Sequence, residues 1–351
     1  MKVFKFYPDN RAKFHFGDSS GKLKDIISSD QLFSALYNCA VLLYDPKEVE
    51  KILAETSHKI LFSSLYYGIR FFNCDNGQSQ EIFFLPRPLA PIQPKDKPTN
   101  LLNHKIVKKI KYVSLGAFRL LQGAWQDEEK YFNFDLLDLK ILGGNFACTA
   151  EEVEGLELDN DSFEKIKLFA VNSTPRVVIS RLNDEAENFY YQEEIEVTYQ
   201  RIGSYLISPF MYFICQGDLD RRLTAIVRLV ADEGLGGKRS QGFGFLGRVV
   251  EEEWPDDLFL TKGQYYVSLS SVFPNLDEVN NLLYYELVER SGYIYSQYGR
   301  SLRKKQVRML KEGSVFSGKI SGQIVDISPE AFNEHKIYLN GKAFLIPVGE
   351  V

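Results

Sequence analysis

The sequence has few of the residues that build metal and redox sites. Its four cysteines (Cys39, Cys74, Cys148 and Cys215) lie far apart and form no CxxC pair. This argues against a small zinc module and against a thioredoxin-type redox motif. The four histidines are scattered, without HExxH or HxxxH spacing, and no GxSxG nucleophile elbow occurs. The sequence therefore predicts neither a metal site nor a cofactor.

Long apolar runs and an excess of positive charge are also missing. No stretch reaches 18 apolar residues, and the N-terminal segment breaks at Pro8 without the apolar core of a signal peptide. Sparse cysteines suit a reducing compartment. Lys and Arg number 42 against 47 Asp and Glu, a net charge of −5, which excludes a uniformly basic surface but allows a local basic patch. We therefore expect a soluble, cytoplasmic protein.

The composition is otherwise that of a globular protein with room for two domains: 351 residues, 44% hydrophobic and 14% aromatic. In the second half, strands near 206–215, 243–250 and 264–272 alternate with helices near 218–234 and 276–289, and strand-like pieces follow. This β-α-β-β-α-β order is ferredoxin-like, as in RRM domains. The first half shows a looser version of it.

The predicted fold class is therefore α+β, with two tandem ferredoxin-like (RRM-like) domains. The first is predicted over residues 1–200. It carries an inserted helical and loop segment at about 86–172, which opens with five prolines in 13 residues. The second is predicted over 201–351.

The most unusual segment is Gly234-Leu-Gly-Gly-Lys-Arg-Ser-Gln-Gly-Phe-Gly-Phe-Leu-Gly247, which we call the glycine-rich loop. It holds six glycines in 14 residues beside Lys238 and Arg239. Glycines let a backbone approach phosphate closely, and successive N–H groups can then form an anion-binding nest. The loop is predicted to bind a polyanion, with Gly236, Gly237, Lys238, Arg239, Ser240, Gly242, Phe243 and Gly244 as its binding residues. The alternative is a helix C-cap followed by a bulged turn.

Other templates fit the glycine-rich loop less well. A Walker A loop fails because Asp232 and Arg239 occupy two of its required positions. Gly242-Phe-Gly-Phe-Leu-Gly247 matches GxGxxG, but a helix precedes it and a strand follows, the reverse of a dinucleotide site. Gln241-Gly-Phe-Gly-Phe-Leu246 is similar to the RRM stacking motif but lies one strand too early.

A second candidate is the basic segment, residues 290–311. It carries seven Lys and Arg in 22 residues with no Asp or Glu, and Tyr293, Tyr295 and Tyr298 precede its densest charge. Cations that follow phosphates, interleaved with rings that stack on bases, are typical of single-stranded nucleic-acid sites. The alternative is a solvated loop. The predicted RNA-binding residues here are Arg300, Arg303, Lys304, Lys305 and Arg308.

The glycine-rich loop also resembles that of the CRISPR RAMP superfamily, most closely the fourth Csm subunit of type III-A effector complexes. Further blocks of the chain resemble the same family in the same order: Phe14–Gly17 followed by Ser29–Leu36, Phe84–Pro88, Pro175–Arg181 with Phe189–Tyr191, and Tyr293–Val315. The resemblance spans most of the chain. Gln241 is a departure, since the family's loop often has a second arginine there.

The resemblance implies a function. In family members, two ferredoxin-like domains hold the repeat-derived 5′ handle of the crRNA. The subunit lies at the foot of the complex, beside the large polymerase-like subunit and the first backbone subunit. They are not regarded as the nuclease. We therefore expect a non-catalytic, crRNA-binding structural subunit in antiviral defence. The rival hypothesis is a RAMP endoribonuclease that processes precursor crRNA with His15 as its general base.

Overall fold

The computed structural model describes residues 1–17, 23–94, 101–179, 186–217, 221–255, 257–294 and 302–349. None of the helices in these parts of the chain is both long and apolar enough to cross a membrane.

The first ferredoxin-like unit is assembled from both halves of the chain. Its elements are β1 (Lys2–Tyr7), β2 (Lys13–Phe14), α1 (Ser29–Leu43), α2 (Pro46–Lys59), β3 (Leu61–Phe62), β4 (Tyr66–Asn73), and, after a long intervening segment, β14 (Tyr205–Gln216), α6 (Arg221–Glu233) and β15 (Arg248–Glu253). A 3₁₀ turn, Arg239–Gln241, lies between α6 and β15. The strand order β15-β1-β14-β4 is antiparallel and is the 4-1-3-2 order of a ferredoxin-like sheet.

The intervening segment extends this sheet and adds a long hairpin. Strands β5, β6, β10 and β9 continue the sheet beyond β4, in that order, while β11 and β12 pair with each other and β12 pairs with β2. The elements are β5 (Ser79–Pro86), α3 (Leu101–Lys109), β6 (Tyr112–Ser114), α4 (Leu115–Gly123), β7 (Trp125–Gln126), β8 (Tyr131–Phe132), β9 (Lys140–Leu142), β10 (Phe146–Cys148), α5 (Asn160–Lys165), β11 (Phe169–Ile179), β12 (Ala186–Val197) and β13 (Gln200–Ile202), with 3₁₀ turns at Leu136–Asp138 and Glu151–Val153.

The second unit repeats the strand order on a smaller scale. Its sheet runs β23-β16-β20-β17, again antiparallel and again 4-1-3-2. The strands are β16 (Tyr265–Ser268), β17 (Leu282–Tyr284), β18 (Leu287–Arg290), β19 (Val307–Leu310), β20 (Val315–Phe316), β21 (Gly322–Asp326), β22 (Tyr338–Lys342) and β23 (Leu345–Val348), with 3₁₀ turns at Leu258–Leu260 and Leu276–Asn281. The predicted fold class, two tandem ferredoxin-like domains with an insertion in the first, is confirmed.

The strand pairing corrects the predicted boundary at residue 200. β14, α6 and β15, which were assigned to the domain 201–351, complete the sheet around β1, so the glycine-rich loop belongs to the first unit. The helix predicted at 276–289 is instead a 3₁₀ turn followed by β17 and β18. Apolar periodicity reports which face of an element is buried, but it does not report which distant strand pairs with it.

The core lies between this first sheet and its helices. β1 is a central strand, so Val3, Phe4 and Phe6 are all fully buried, and Phe4 stacks on Phe213 of β14 with ring centroids 5.1 Å apart. Helices α1 and α6 pack against each other with their apolar faces buried. The glycine-rich loop connects the end of α6 to β15, which is a neighbour of β1 in the sheet.

A polar network joins the two units. The Ser64 hydroxyl of the first unit and the Ser271 hydroxyl of the second both donate to Oε1 of buried Glu312, at 2.5 and 2.9 Å. The Tyr66 hydroxyl donates to the Leu269 carbonyl across the same boundary at 2.7 Å. Since buried polar groups are costly to leave unpaired, these bonds favour one fixed arrangement of the units.

Candidate RNA-binding site

The glycine-rich loop lies against the segment that carries β2 and His15. The Gly244 N–H donates to the Lys13 carbonyl at 2.8 Å, and the Gly237 N–H donates to the His15 carbonyl at 2.9 Å. Within the loop, the Leu235 N–H donates to the Gly244 carbonyl at 2.9 Å. The loop is therefore an ordered structure fastened at two points to the strand beside it.

Only some of the loop glycines are required for this docking. Gly244 has φ +90°, and a Cβ on it would lie 2.3 Å from the Leu235 carbonyl oxygen; Gly236 has φ +89°, with the His15 carbonyl oxygen 2.8 Å from its Cβ position. At these two positions a side chain would break the contact, so glycine is a structural requirement. Gly242 differs: its φ is +83°, but nothing lies within 4 Å of its Cβ position.

The prediction for Gly237 needs adjustment. Its φ is outside the left-handed region, and a Cβ on it would meet the His15 ring, with Cδ2 at 3.2 Å. A side chain at Gly237 would thus point toward His15, whereas a side chain at Gly242 would point into open space. Gly242 is the better probe of any ligand that approaches the outer surface of the loop.

The outer surface of the loop has the geometry of an anion-binding nest. Lys238 is left-handed (φ 63°, ψ 19°) and is followed by the 3₁₀ turn Arg239–Gln241, a sequence of conformations that brings successive N–H groups together. Within the described part of the chain, the N–H groups of Lys238 and Ser240 have no acceptor. Arg239 is exposed, and its guanidinium lies 4.0 Å from the Glu233 carboxylate. Such a surface ion pair contributes little to stability.

Two of the predicted binding residues in the loop, Ser240 and Phe243, differ in their exposure to solvent. Ser240 is exposed, as its predicted role requires. Phe243 is only 7% exposed, so its ring is not positioned to stack on a base. The ring that faces solvent is Phe245, at 45% exposure. Alternation on an extended segment would place residues two apart on the same side. The left-handed Gly244 between the two rings (φ +90°), held by its hydrogen bond to the Lys13 carbonyl, turns the chain so that Phe243 is buried and Phe245 is exposed.

His15 lies beside the loop. Its Nδ1 is 2.9 Å from the Glu193 carbonyl oxygen of β12, which can only accept, so Nδ1 donates this hydrogen bond. Among the described residues, no group of His, Cys, Asp and Glu is arranged to hold a metal ion.

The basic segment contains one arginine with a structural role. Arg290 is only 9% exposed, and its Nε and Nη2 donate to the Asp30 carboxylate at 2.7 and 3.1 Å. Nη2 also donates to the hydroxyls of Ser28 and Ser271. Asp30 is 2% exposed and lies in the first turn of α1. This ion pair was not predicted from the sequence. The available sign was Asp30 itself, an acidic residue just before the apolar positions of a helix.

The remaining predicted cations of the basic segment are more open. Arg303 is exposed and its guanidinium lies 5.7 Å from the centroid of the Tyr293 ring. Lys305 and Arg308 are exposed as well, the latter on β19 opposite Glu289. Lys304 is half-buried, and this burial lowers the pKa of its ammonium group. Arg300, Tyr295 and Tyr298 lie outside the described residues.

One connection, from β2 to α1, links the two candidate regions. Its first residues hold the glycine-rich loop through the Lys13 and His15 carbonyls. Its last residues, Ser28 and then Asp30 at the start of α1, hold the basic segment through Arg290.

Comparison with known proteins identifies relatives along the whole chain. The family model described as the CRISPR Csm4 C-terminal domain matches residues 261–348. A "CRISPR system Cms protein Csm4" from Methanocaldococcus jannaschii is 28% identical over 99% of this chain and 97% of its own length. A protein of the same name from Streptococcus thermophilus is 34% identical over 28% of this chain and 36% of its own length.

Solved structures share the fold. A chain from a Csm3–Csm4 subcomplex of the type III-A CRISPR-Cas interference complex matches with a TM-score of 0.66 and 24% identity, covering 99% of this chain and 100% of that one. A chain from a Csm1–Csm4 cassette in complex with cA4 matches with a TM-score of 0.56 and 16% identity, covering 100% and 98%. The resemblance to the fourth Csm subunit of the CRISPR RAMP superfamily is therefore confirmed, and the chain is related to the Csm4 proteins over its whole length.

Proposed function

We propose that this chain is a non-catalytic structural subunit of a type III-A CRISPR interference complex. It binds the 5′ handle of the crRNA and docks the large polymerase-like subunit and the first backbone RAMP subunit, in the cytoplasm and for antiviral defence. The observation that carries the proposal is the outer surface of the glycine-rich loop, where Lys238 and Ser240 present N–H groups beside two cationic side chains. In a chain of net charge −5, affinity for RNA has to come from such local sites.

The proposed RNA-binding residues follow from exposure. In the loop they are the exposed Arg239 and Ser240 and the half-buried Lys238, with Gly242 allowing close approach of the RNA backbone. In the basic segment they are Arg303, Lys305 and Arg308, all exposed on one hairpin and its extension.

The proposed partners are supported by the relatives. The matching solved structures are of Csm4 together with Csm3 and of Csm4 together with Csm1. This chain also offers apolar surface for protein contacts: on the β11–β12 hairpin, Val177, Ile179, Phe189 and Tyr191 are each about half exposed or more. Exposed apolar patches of this kind typically mark interaction sites.

The direct test is binding of a repeat-derived 5′ handle RNA to the full-length chain and to the chain with its partner subunits. Lys238→Ala with Arg239→Ala should weaken binding and make it less dependent on salt. Lys47→Ala with Lys51→Ala on α2 makes the same change in charge away from the loop and is the matched control. Equal weakening by both pairs would mean that only net charge matters, and the loop would lose its proposed role.

The endoribonuclease hypothesis keeps one favourable observation, since the His15 ring lies next to Gly237 of the loop. A general base needs a nucleophilic hydroxyl within hydrogen-bond reach, which substrate RNA would have to bring to Nε2. We expect the purified chain to leave a CRISPR repeat RNA intact, with and without divalent metal. Specific cleavage that His15→Ala abolishes would establish the enzyme instead.

A further inference from the structure

Two buried side chains at the base of the β11–β12 hairpin lack hydrogen-bond partners. Gln192 and Glu194 are 5% and 1% exposed, and they are two residues apart on β12, so they face the same side of the strand. The Gln192 amide nitrogen Nε2 has no acceptor, and the Glu194 oxygen Oε2 has no donor, among the described residues. Buried polar groups are nearly always paired, so an open donor beside an open acceptor calls for a ligand.

Lys13 connects the pair to the glycine-rich loop. The other carboxylate oxygen of Glu194 accepts from the Lys13 ammonium group at 2.5 Å, and the Lys13 carbonyl accepts from Gly244 of the loop at 2.8 Å. The order of neighbouring segments is therefore β12, β2 and then the loop. A nucleic-acid strand whose backbone contacts the loop would bring its bases within reach of β12.

The chemistry of the pair fits a nucleobase and excludes a phosphate. A carboxylate oxygen repels phosphate but accepts from the N–H groups of a base, while an amide nitrogen donates to ring nitrogens or carbonyl oxygens. Residues two apart on a strand are separated by about 6.7 Å, and the Watson–Crick edge of every base presents a donor beside an acceptor. Both open atoms are shielded from solvent, so a base held there would be free of competing water.

We propose that Gln192 and Glu194 form a base-recognition subsite for one nucleotide of the bound RNA, with Lys13 orienting the carboxylate. The subsite rests on the proposed function, since it requires RNA to lie on the glycine-rich loop. It adds sequence preference to a site whose other contacts are to the backbone, because phosphate contacts fix position but carry no sequence information. Because both side chains are buried, binding of the base requires the residues packed around them to move.

The experiment measures the affinity of the full-length chain for handle RNAs in which each nucleotide in turn is made abasic. With the unmodified chain, one abasic position should weaken binding by about 10- to 150-fold, the range for a hydrogen bond to a charged group. Glu194→Gln should weaken binding of the intact RNA to a similar degree. In this variant, the same abasic position should lower the affinity little further. Replacing that nucleotide by each of the other bases identifies the preferred one.

Matched controls separate the possible failures. Glu193→Gln makes the same change in charge at a neighbouring, exposed residue that faces the opposite side of β12, and it should leave the abasic profile unchanged. Gln192→Leu replaces the open donor by an apolar group of similar size, so it should melt no lower than the unmodified chain while losing the position-specific effect. It remains informative if Glu194→Gln fails to fold.

Each outcome decides one of the two claims. If the unmodified chain and its complexes do not bind handle RNA, the proposed function fails, and the subsite fails with it. If they bind, but each abasic position lowers the affinity of Glu194→Gln and Gln192→Leu by the same factor as that of the unmodified chain, the subsite is overturned. The pair would then have a structural role only, and RNA binding by the loop would stand.

Discussion

Replacing Lys238 by glycine should make the protein slightly more stable and its RNA binding weaker. Lys238 is left-handed (φ 63°) without being glycine, a conformation that costs an L-residue about 1–2 kcal/mol. Glycine removes this strain but adds about 0.5–1 kcal/mol of conformational freedom to the unfolded chain. The free energy of unfolding should therefore rise by about 0–1.5 kcal/mol. Strained residues of this kind persist where function requires their side chain.

The same substitution removes a cation from the outer surface of the loop. If the ammonium group neutralises one phosphate, the slope of log affinity against log salt should become less steep by about 0.7. Lys238→Ala is the control, because it loses the charge but keeps the left-handed strain. It should show the same loss of binding without the gain in stability. The assays are chemical denaturation and a salt titration of handle-RNA affinity, and unchanged affinity in both variants would refute a role for Lys238 in RNA binding.

Two further predictions concern the basic segment and its buried Arg290. Arg303→Ala with Arg308→Ala should reduce the slope of log affinity against log salt by about 1.4, since two phosphate contacts are lost. An unchanged slope would show that the basic segment is a solvated loop. Asp30→Asn leaves Arg290 buried without its countercharge and should lower the free energy of unfolding by about 3–5 kcal/mol. A loss below 1 kcal/mol in chemical denaturation would show that the pair does not hold the units together.

The sequence predicted the parts of this fold that depend on local patterns. The apolar stripe of Leu223, Ile226, Val227 and Val230 identified α6, and the strand and helix order identified the ferredoxin-like class. The domain boundary could not be predicted in the same way, because β14 pairs with β1 from about 200 residues away. A helix was expected at 276–289 because four apolar residues recur at helical spacing, yet Leu287 is 55% exposed on β18.

In the candidate site, too, only the local features could be predicted from the sequence. Glycine and charge content located the loop and the basic segment, since both features are local. Docking against Lys13 decides whether Phe243 or Phe245 faces solvent. The burial of Arg290 depends on Asp30, which lies in the other unit. Gln192 and Glu194 gave no signal at all, because polar residues on a strand are ordinarily solvated.

The most direct test of the loop's proposed role compares two glycines. Gly242 and Gly77 have similar left-handed φ values, +83° and +74°, and neither has any atom within 4 Å of its Cβ position. Alanine at either position should therefore cost the same stability, about 1–2 kcal/mol. Only Gly242 lies in the glycine-rich loop; Gly77 lies in the turn between β4 and β5.

The measurement is the affinity of both variants for the handle RNA, alongside their melting. We predict that Gly242→Ala weakens binding by about 10- to 150-fold, because its methyl group holds a phosphate away from the N–H groups of the nest. Gly77→Ala should bind as the unmodified chain does. Equal affinity of the two variants for the handle would contradict the account, since the loop glycines would then serve only the turn.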